Sequence, residues 1–143
     1  MKAVYHSSMT TYHGTSAEGA SSILSDGIDI SRSCKGYFGI GFYTTPDAEL
    51  ARCNYAEFSG DEDGGKVLAF GVSPDARILD LSRSVDWDTY QSLTYGGRSV
   101  ADLVSLDDFD QIMRSFGVDG IADRSFGGIV FYNPNVLAPV ELP

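Results

Sequence analysis

The chain has 143 residues, a mass near 15.4 kDa and a formal net charge of −10, from 10 Lys and Arg against 20 Asp and Glu. That length suits one domain spanning 1–143 with its own core, and a composition of 43% hydrophobic and 21% charged residues excludes a chain disordered throughout. The acidity argues against broad nucleic-acid binding, because phosphate contacts dominate such affinity, and no apolar run approaches the ~20 residues of a membrane-spanning helix.

In chain order, the opening MKAVYHSSMT lacks an apolar core of signal-peptide length, so a cytoplasmic location is expected. Met9 to Tyr12 reads as a short strand, and Ser16 as the N-cap of a helix that Gly27 stops after about two turns. Ile28 and Ile30 alternate with polar residues, which predicts a short extended piece. Gly36, Gly39 and Gly41 punctuate the approach to a strand at Phe42-Tyr43-Thr44-Thr45. Thr45-Pro46-Asp47 then opens a helix, with Pro near its first position, running through Glu49, Leu50, Ala51, Tyr55 and Phe58.

Residues 59–65 read as an acidic, glycine-rich turn or loop, followed by strands at Val67 to Val72 and Ile78 to Leu81. A short helix is predicted over Asp86 to Leu93. A stronger one is predicted over Leu106 to Phe116, with Leu106, Phe109, Ile112, Met113 and Phe116 on one face and Gly117 at its end. Val118 to Asp123 reads as a turn into a strand. Ile129 to Tyr132 is a strong strand broken by Asn133-Pro134, and Val136 to Leu142 supplies a last edge strand. Short strands mixed with short helices and no internal repeat give an α+β class.

Three clusters bear on chemistry. The first is Thr11-Tyr12-His13-Gly14-Thr15-Ser16, between the first strand and the first helix. His13 there is either a ligand-facing imidazole beside open backbone amides or a structural histidine in a strand-to-helix turn. The second is Gly36 to Thr45, where the glycines either let a flat ring lie against a tyrosine or simply lead into a core strand. It is not a dinucleotide fingerprint, since the glycines precede a strand rather than open a helix. The third, Phe126 to Pro134, reads alone as a buried strand and a turn. Cys34 and Cys53 form no CxxC and have no histidine at ligand spacing, which argues against zinc; between a Cys34–Cys53 disulfide and two free thiols, the lack of a signal-peptide pattern favours the thiols. A nucleophile elbow and a Walker loop are absent.

In order, these clusters resemble the ADP-ribosyltransferase superfamily, on its poly(ADP-ribose) polymerase-like and diphtheria-toxin-like side. Tyr12-His13-Gly14-Thr15 is similar to the early His-Gly-Thr motif, and Gly39-Ile40-Gly41-Phe42-Tyr43 to the glycine-rich approach to an aromatic strand. Ala51 to Tyr55 resembles the helix that supplies a second tyrosine, and Asp119-Gly120-Ile121 with Ile129 to Pro134 the late segment. The resemblance spans roughly residues 11 to 137. It implies a split β core of short strands and NAD as substrate, without a metal. His13 would bond the adenosine ribose, the backbone of Gly14 the nicotinamide carboxamide, and Tyr43 and Tyr55 would sandwich the nicotinamide ring, with Thr15 in the same pocket.

One departure bears on activity. Active transferases usually place a glutamate just before the late strand, and here Gly127-Gly128 occupy that place. Asp123 is the first substitute acid and completes a catalytic set with His13 and Tyr43. Asp119 comes second, with a turn residue as its other reading, and Glu141 and Glu57 lie further off. No Glu-x-Glu pair of the arginine-modifying subgroup is present. The resemblance therefore implies single ADP-ribose transfer to a protein or other target, in the manner of a toxin, effector or phage-encoded modifier, including one delivered into a host cytoplasm. The alternatives are an NAD- or ADP-ribose-binding module without turnover, and an acidic protein-interaction inhibitor.

Overall fold

A computed structural model describes residues 9–33, 35–53, 65–123 and 127–141. In chain order the elements are β1 (Thr10–Thr15), α1 (Ala17–Asp26), β2 (Lys35–Gly36), β3 (Gly39–Ile40), β4 (Phe42–Thr44), α2 (Ala48–Ala51), β5 (Lys66–Val72), β6 (Ile78–Asp80), α3 (Ser84–Ser92), β7 (Thr94–Tyr95), β8 (Arg98–Ser99), α4 (Phe109–Ser115), β9 (Gly120–Asp123), β10 (Gly128–Phe131) and β11 (Leu137–Val140). Short helices and several small sheets make this an α+β fold, as the sequence predicts. Its residues cluster into two compact units, one of Met1–Asp29, Thr44–Ala76 and Asn135–Pro143, the other of Ile30–Tyr43 and Arg77–Pro134.

The first unit is built on the antiparallel sheet β1-β5-β11. β1 is longer than its sequence pattern suggests. It runs through His13, Gly14 and Thr15, because each of its six residues finds a partner on β5, from Thr10 opposite Gly71 to Thr15 opposite Lys66. The chain then turns directly into α1. Ser16 caps that helix by accepting the Gly19 amide at 3.0 Å, and the Gly27 amide bonds the Ile23 carbonyl at its end. α2 is capped by Asp47, whose Oδ1 accepts from the amides of Glu49 at 2.9 Å and Leu50 at 3.3 Å. Pro46 therefore precedes the cap instead of occupying the first helical position. The expected continuation of this helix to Tyr55 and Phe58 lies outside the described residues, as does most of the acidic turn.

The second unit carries the four-stranded sheet β4-β10-β9-β6, in which β9 pairs antiparallel with β10 and parallel with β6. Phe109, Met113, Val100, Ile121, Val130, Phe131 and Tyr132 are fully buried in it. The Phe109 ring meets Tyr132 edge-on at 5.6 Å. Asp119 ties together one end of β6, β9 and β10. Its Oδ2 accepts the Arg77 amide at 2.8 Å, its Oδ1 accepts the Asn133 side-chain amide at 3.0 Å, and its carbonyl accepts the amides of Tyr132 and Asn133.

Three local expectations change. Ile30–Arg32 is a 3-10 turn, not an extended piece: two alternating pairs carry too little pattern, and burying Ile30 is satisfied by a turn closed from Ser33 to Ile30. α4 starts at Phe109, three residues later than predicted. Leu106 is 39% exposed and sits in successive i to i+3 turns that bond Leu106 to Leu103 and Phe109 to Leu106. The hairpin β7–β8 was not predicted, although Gly96 and Gly97, both at positive φ, are the two central residues that its tight turn requires.

Candidate functional site

His13 lies within β1, opposite Leu68 on β5, and is half-buried. It is thus a strand residue, not the strand-to-helix turn residue of the second reading from sequence. Gly14 and Thr15 follow opposite Val67 and Lys66, so the amides beside the imidazole belong to a paired strand and not to an open loop. The alternation of a strand puts Thr11, His13 and Thr15 on one face. Thr11 is fully buried there and donates to Thr44 Oγ1 at 2.5 Å. Beside it, Tyr12 and Thr45 exchange backbone hydrogen bonds of 2.8 and 2.9 Å. The His-Gly-Thr strand is therefore coupled to Thr44 and Thr45, the two residues that follow Tyr43.

Tyr43 sits on β4 in the second unit and is half-buried. Its hydroxyl accepts from the Phe38 amide at 3.0 Å and donates to the Gly39 carbonyl at 2.7 Å. Its ring packs against Gly36: a Cβ there would fall 2.4 Å from Tyr43 Cζ. The glycine before the aromatic strand thus makes room for the protein's own tyrosine. Tyr132, the last residue of the strand expected over Ile129 to Tyr132, completes the arrangement by donating to the Phe38 carbonyl at 2.8 Å. Both peptide groups of Phe38 are held by tyrosine hydroxyls. Burial pushes the Tyr132 hydroxyl well above its ordinary pKa, with the neighbouring Tyr43, Tyr90 and Asp110 adding to it, so it remains a donor.

Asp123 ends β9 and is half-buried. Its register partner on β10 is Gly128, and directly opposed residues of an antiparallel pair present their side chains on the same face. Asp119, the second acid considered, lies just before β9 and has both carboxylate oxygens engaged in hydrogen bonds, from the Arg77 amide and the Asn133 side chain. Glu141 is exposed just beyond β11. Tyr55, Glu57 and Cys34 lie outside the described residues; Cys53 is half-buried near the end of α2.

The first unit also has an apolar recess of about 220 Å³, walled by Leu24, Val67, Leu68, Phe70 and Val140 among others, with no titratable side chain in its lining. Among the described residues no cluster of His, Cys, Asp and Glu could hold a metal ion, and no helix is long and apolar enough to cross a membrane. No protein-family model matches the chain, and no curated protein matches it either.

Proposed function

We propose that this protein binds NAD and breaks the bond between nicotinamide and ribose, transferring a single ADP-ribose to a protein target. The observation that carries the reading is the register of β9 on β10. Asp123 faces Gly128, one of the two glycines standing where the resembled transferases have their acid. A cross-strand pair separates Cβ atoms by about 4.5–5.5 Å, so an aspartate at 123 serves the face that a side chain at 128 would serve.

The chemistry asked of these residues is modest. Cleavage of the glycosidic bond leaves an oxocarbenium-like ribose, and nicotinamide departs with the bonding electrons. A nucleophile of the target then bonds the anomeric carbon and gives up its proton. His13 would orient the adenosine end of the donor. The Asp123 carboxylate would hold a ribose hydroxyl and stabilise the developing positive charge, a contribution on the order of 10²–10³ in rate for one preorganised group.

The test is nicotinamide release from NAD, with and without cell lysate, for the wild type, His13→Ala and Asp123→Asn. Release is expected from the wild type, with a loss of at least 10² for Asp123→Asn and a loss for His13→Ala. NAD binding without release in any lysate would replace the transferase by a binding module, the reading that Gly127-Gly128 favour. Absence of NAD binding would remove both.

A further inference from the structure

The apolar side chains of β9 and β10 specify their pairing weakly. Every residue of β10 is buried, as are Gly120 and Ile121 of β9 and Tyr132 just beyond β10. A strand buried on both faces has no alternation of apolar and polar residues to tell one register from the next. Sliding Gly128–Phe131 by one residue exchanges one apolar row for another, yet it takes Gly128 out of line with Asp123.

The polar groups at the other end of the pair do discriminate. Asp119 directly precedes β9. Its carbonyl accepts the amides of Tyr132 at 2.8 Å and Asn133 at 3.2 Å, and its Oδ1 accepts the Asn133 side chain at 3.0 Å. A slip of one residue would move Tyr132 and Asn133 by about 3.3 Å and break these bonds together. Toward β6, Oδ2 accepts the Arg77 amide at 2.8 Å, while the Asp119 amide donates to the Arg77 carbonyl at 2.9 Å. The same carboxylate thus fixes β9 against its antiparallel neighbour and its parallel one. Gly120 lets the strands close beside it, since a Cβ there would fall 2.6 Å from the Val130 carbonyl oxygen.

We propose that Asp119 is a positioning residue for the reaction, a role that rests on the one proposed above for Asp123. It sets the β9–β10 register that holds the Asp123 carboxylate opposite Gly128, and it acts on catalysis only through Asp123. The two acids divide the work along one strand: Asp119 is bonded at its start, and Asp123 stands at its end, about 13 Å away at the usual rise of a strand.

The first test does not depend on activity. Asp123→Cys combined with Gly128→Cys makes a cross-strand pair whose Cα separation, about 4.5–5.5 Å, lies within the range of a disulfide. Mild oxidation should close the link between 123 and 128, identified by peptide mass mapping. Adding Asp119→Ala should lower its yield several-fold, and Asp119→Asn, which keeps one acceptor oxygen, should fall between. Asn133→Ala removes one donor and leaves the carboxylate on Arg77, so it carries the same test if Asp119→Ala fails to fold. Yields unchanged by these substitutions would overturn the proposal.

The second test is nicotinamide release from NAD. Asp119→Ala should lower kcat on the order of 10²-fold, the effect of misplacing a catalytic group by ~1 Å, with KM for NAD within about twofold. In an Asp123→Asn background the same substitution should bring no further loss. A merely structural role would lower the rate equally in both backgrounds, so equal losses would overturn the proposal. A wild type that releases no nicotinamide would remove the reaction and the catalytic half of the proposal with it, whereas the disulfide yields decide the register by themselves.

Discussion

Replacing Tyr43 by Phe tests whether this residue holds the β2–β3 hairpin. The substitution keeps the ring that packs on Gly36 and deletes the hydroxyl alone. Two part-buried bonds go with it, one from the Phe38 amide at 3.0 Å and one to the Gly39 carbonyl at 2.7 Å. A typical bond of this kind contributes about 1 kcal/mol net, and a backbone group left unsatisfied costs about 1–3 kcal/mol. Water reaches part of the site, so the lower figures apply and the sum is about 2 kcal/mol. For a chain of this length that corresponds to roughly 6–8 °C in Tm. The assay is urea unfolding followed by Trp87, which belongs to the same unit. The slope with urea should stay constant while the midpoint falls. Tyr132→Phe should act through the carbonyl of the same residue, Phe38. The double variant should therefore depart from additivity. A loss below about 0.5 kcal/mol in Tyr43→Phe would refute the argument that its hydroxyl anchors the hairpin.

Other consequences are equally direct. Gly120→Ala places a Cβ 2.6 Å from the Val130 carbonyl oxygen, in the register of β9 and β10. That oxygen is backbone and cannot turn aside, so a loss of about 2–3 kcal/mol is expected in denaturant unfolding. Asp110 is buried in the first turn of α4, and burial holds its carboxyl above the usual carboxylate range, outweighing its backbone bonds and Arg114. The native state then binds a proton that the unfolded chain has released. Stability must therefore fall as pH rises from the unfolded carboxylate value through the raised native one. Asp110→Asn should be more stable than the wild type at pH 7, with the difference closing toward pH 4. Urea melts at the two pH values check it, and a less stable variant at pH 7 would contradict the sign. Ser16→Ala removes the bond to the Gly19 amide and should lower stability by about 1 kcal/mol in the same measurement.

How much was legible divides by range along the chain. Ser16 as cap, Gly27 as stop, the strand over Val67 to Val72 and the strand ending at Asn133-Pro134 follow from side chains acting on backbone within about four residues. A cap needs only its own helix turn, and a β-rich apolar run needs only a surface to lie on. His13, Tyr43 and Asp123 are candidates from sequence through a resemblance carried by four motifs in order, with Asp123 ranked before Asp119.

Only the tertiary structure decided which partner each segment meets. β1 extends through His13 because β5 offers six partners, and nothing local to His13 encodes that. Leu106 falls outside α4 although it fits the helical stripe, since the turns that precede Phe109 take up those residues first. Gly36 is required by a tyrosine seven residues on, and Asp119 is occupied by Arg77 and Asn133, from 42 and 14 residues away. The facing of Asp123 and Gly128 is a matter of register, and slipping that pairing by one residue would turn the carboxylate to the opposite face. Sequence patterns fix the period and ends of an element. Pairing and register depend on contacts between distant residues, whose free energy no local window contains.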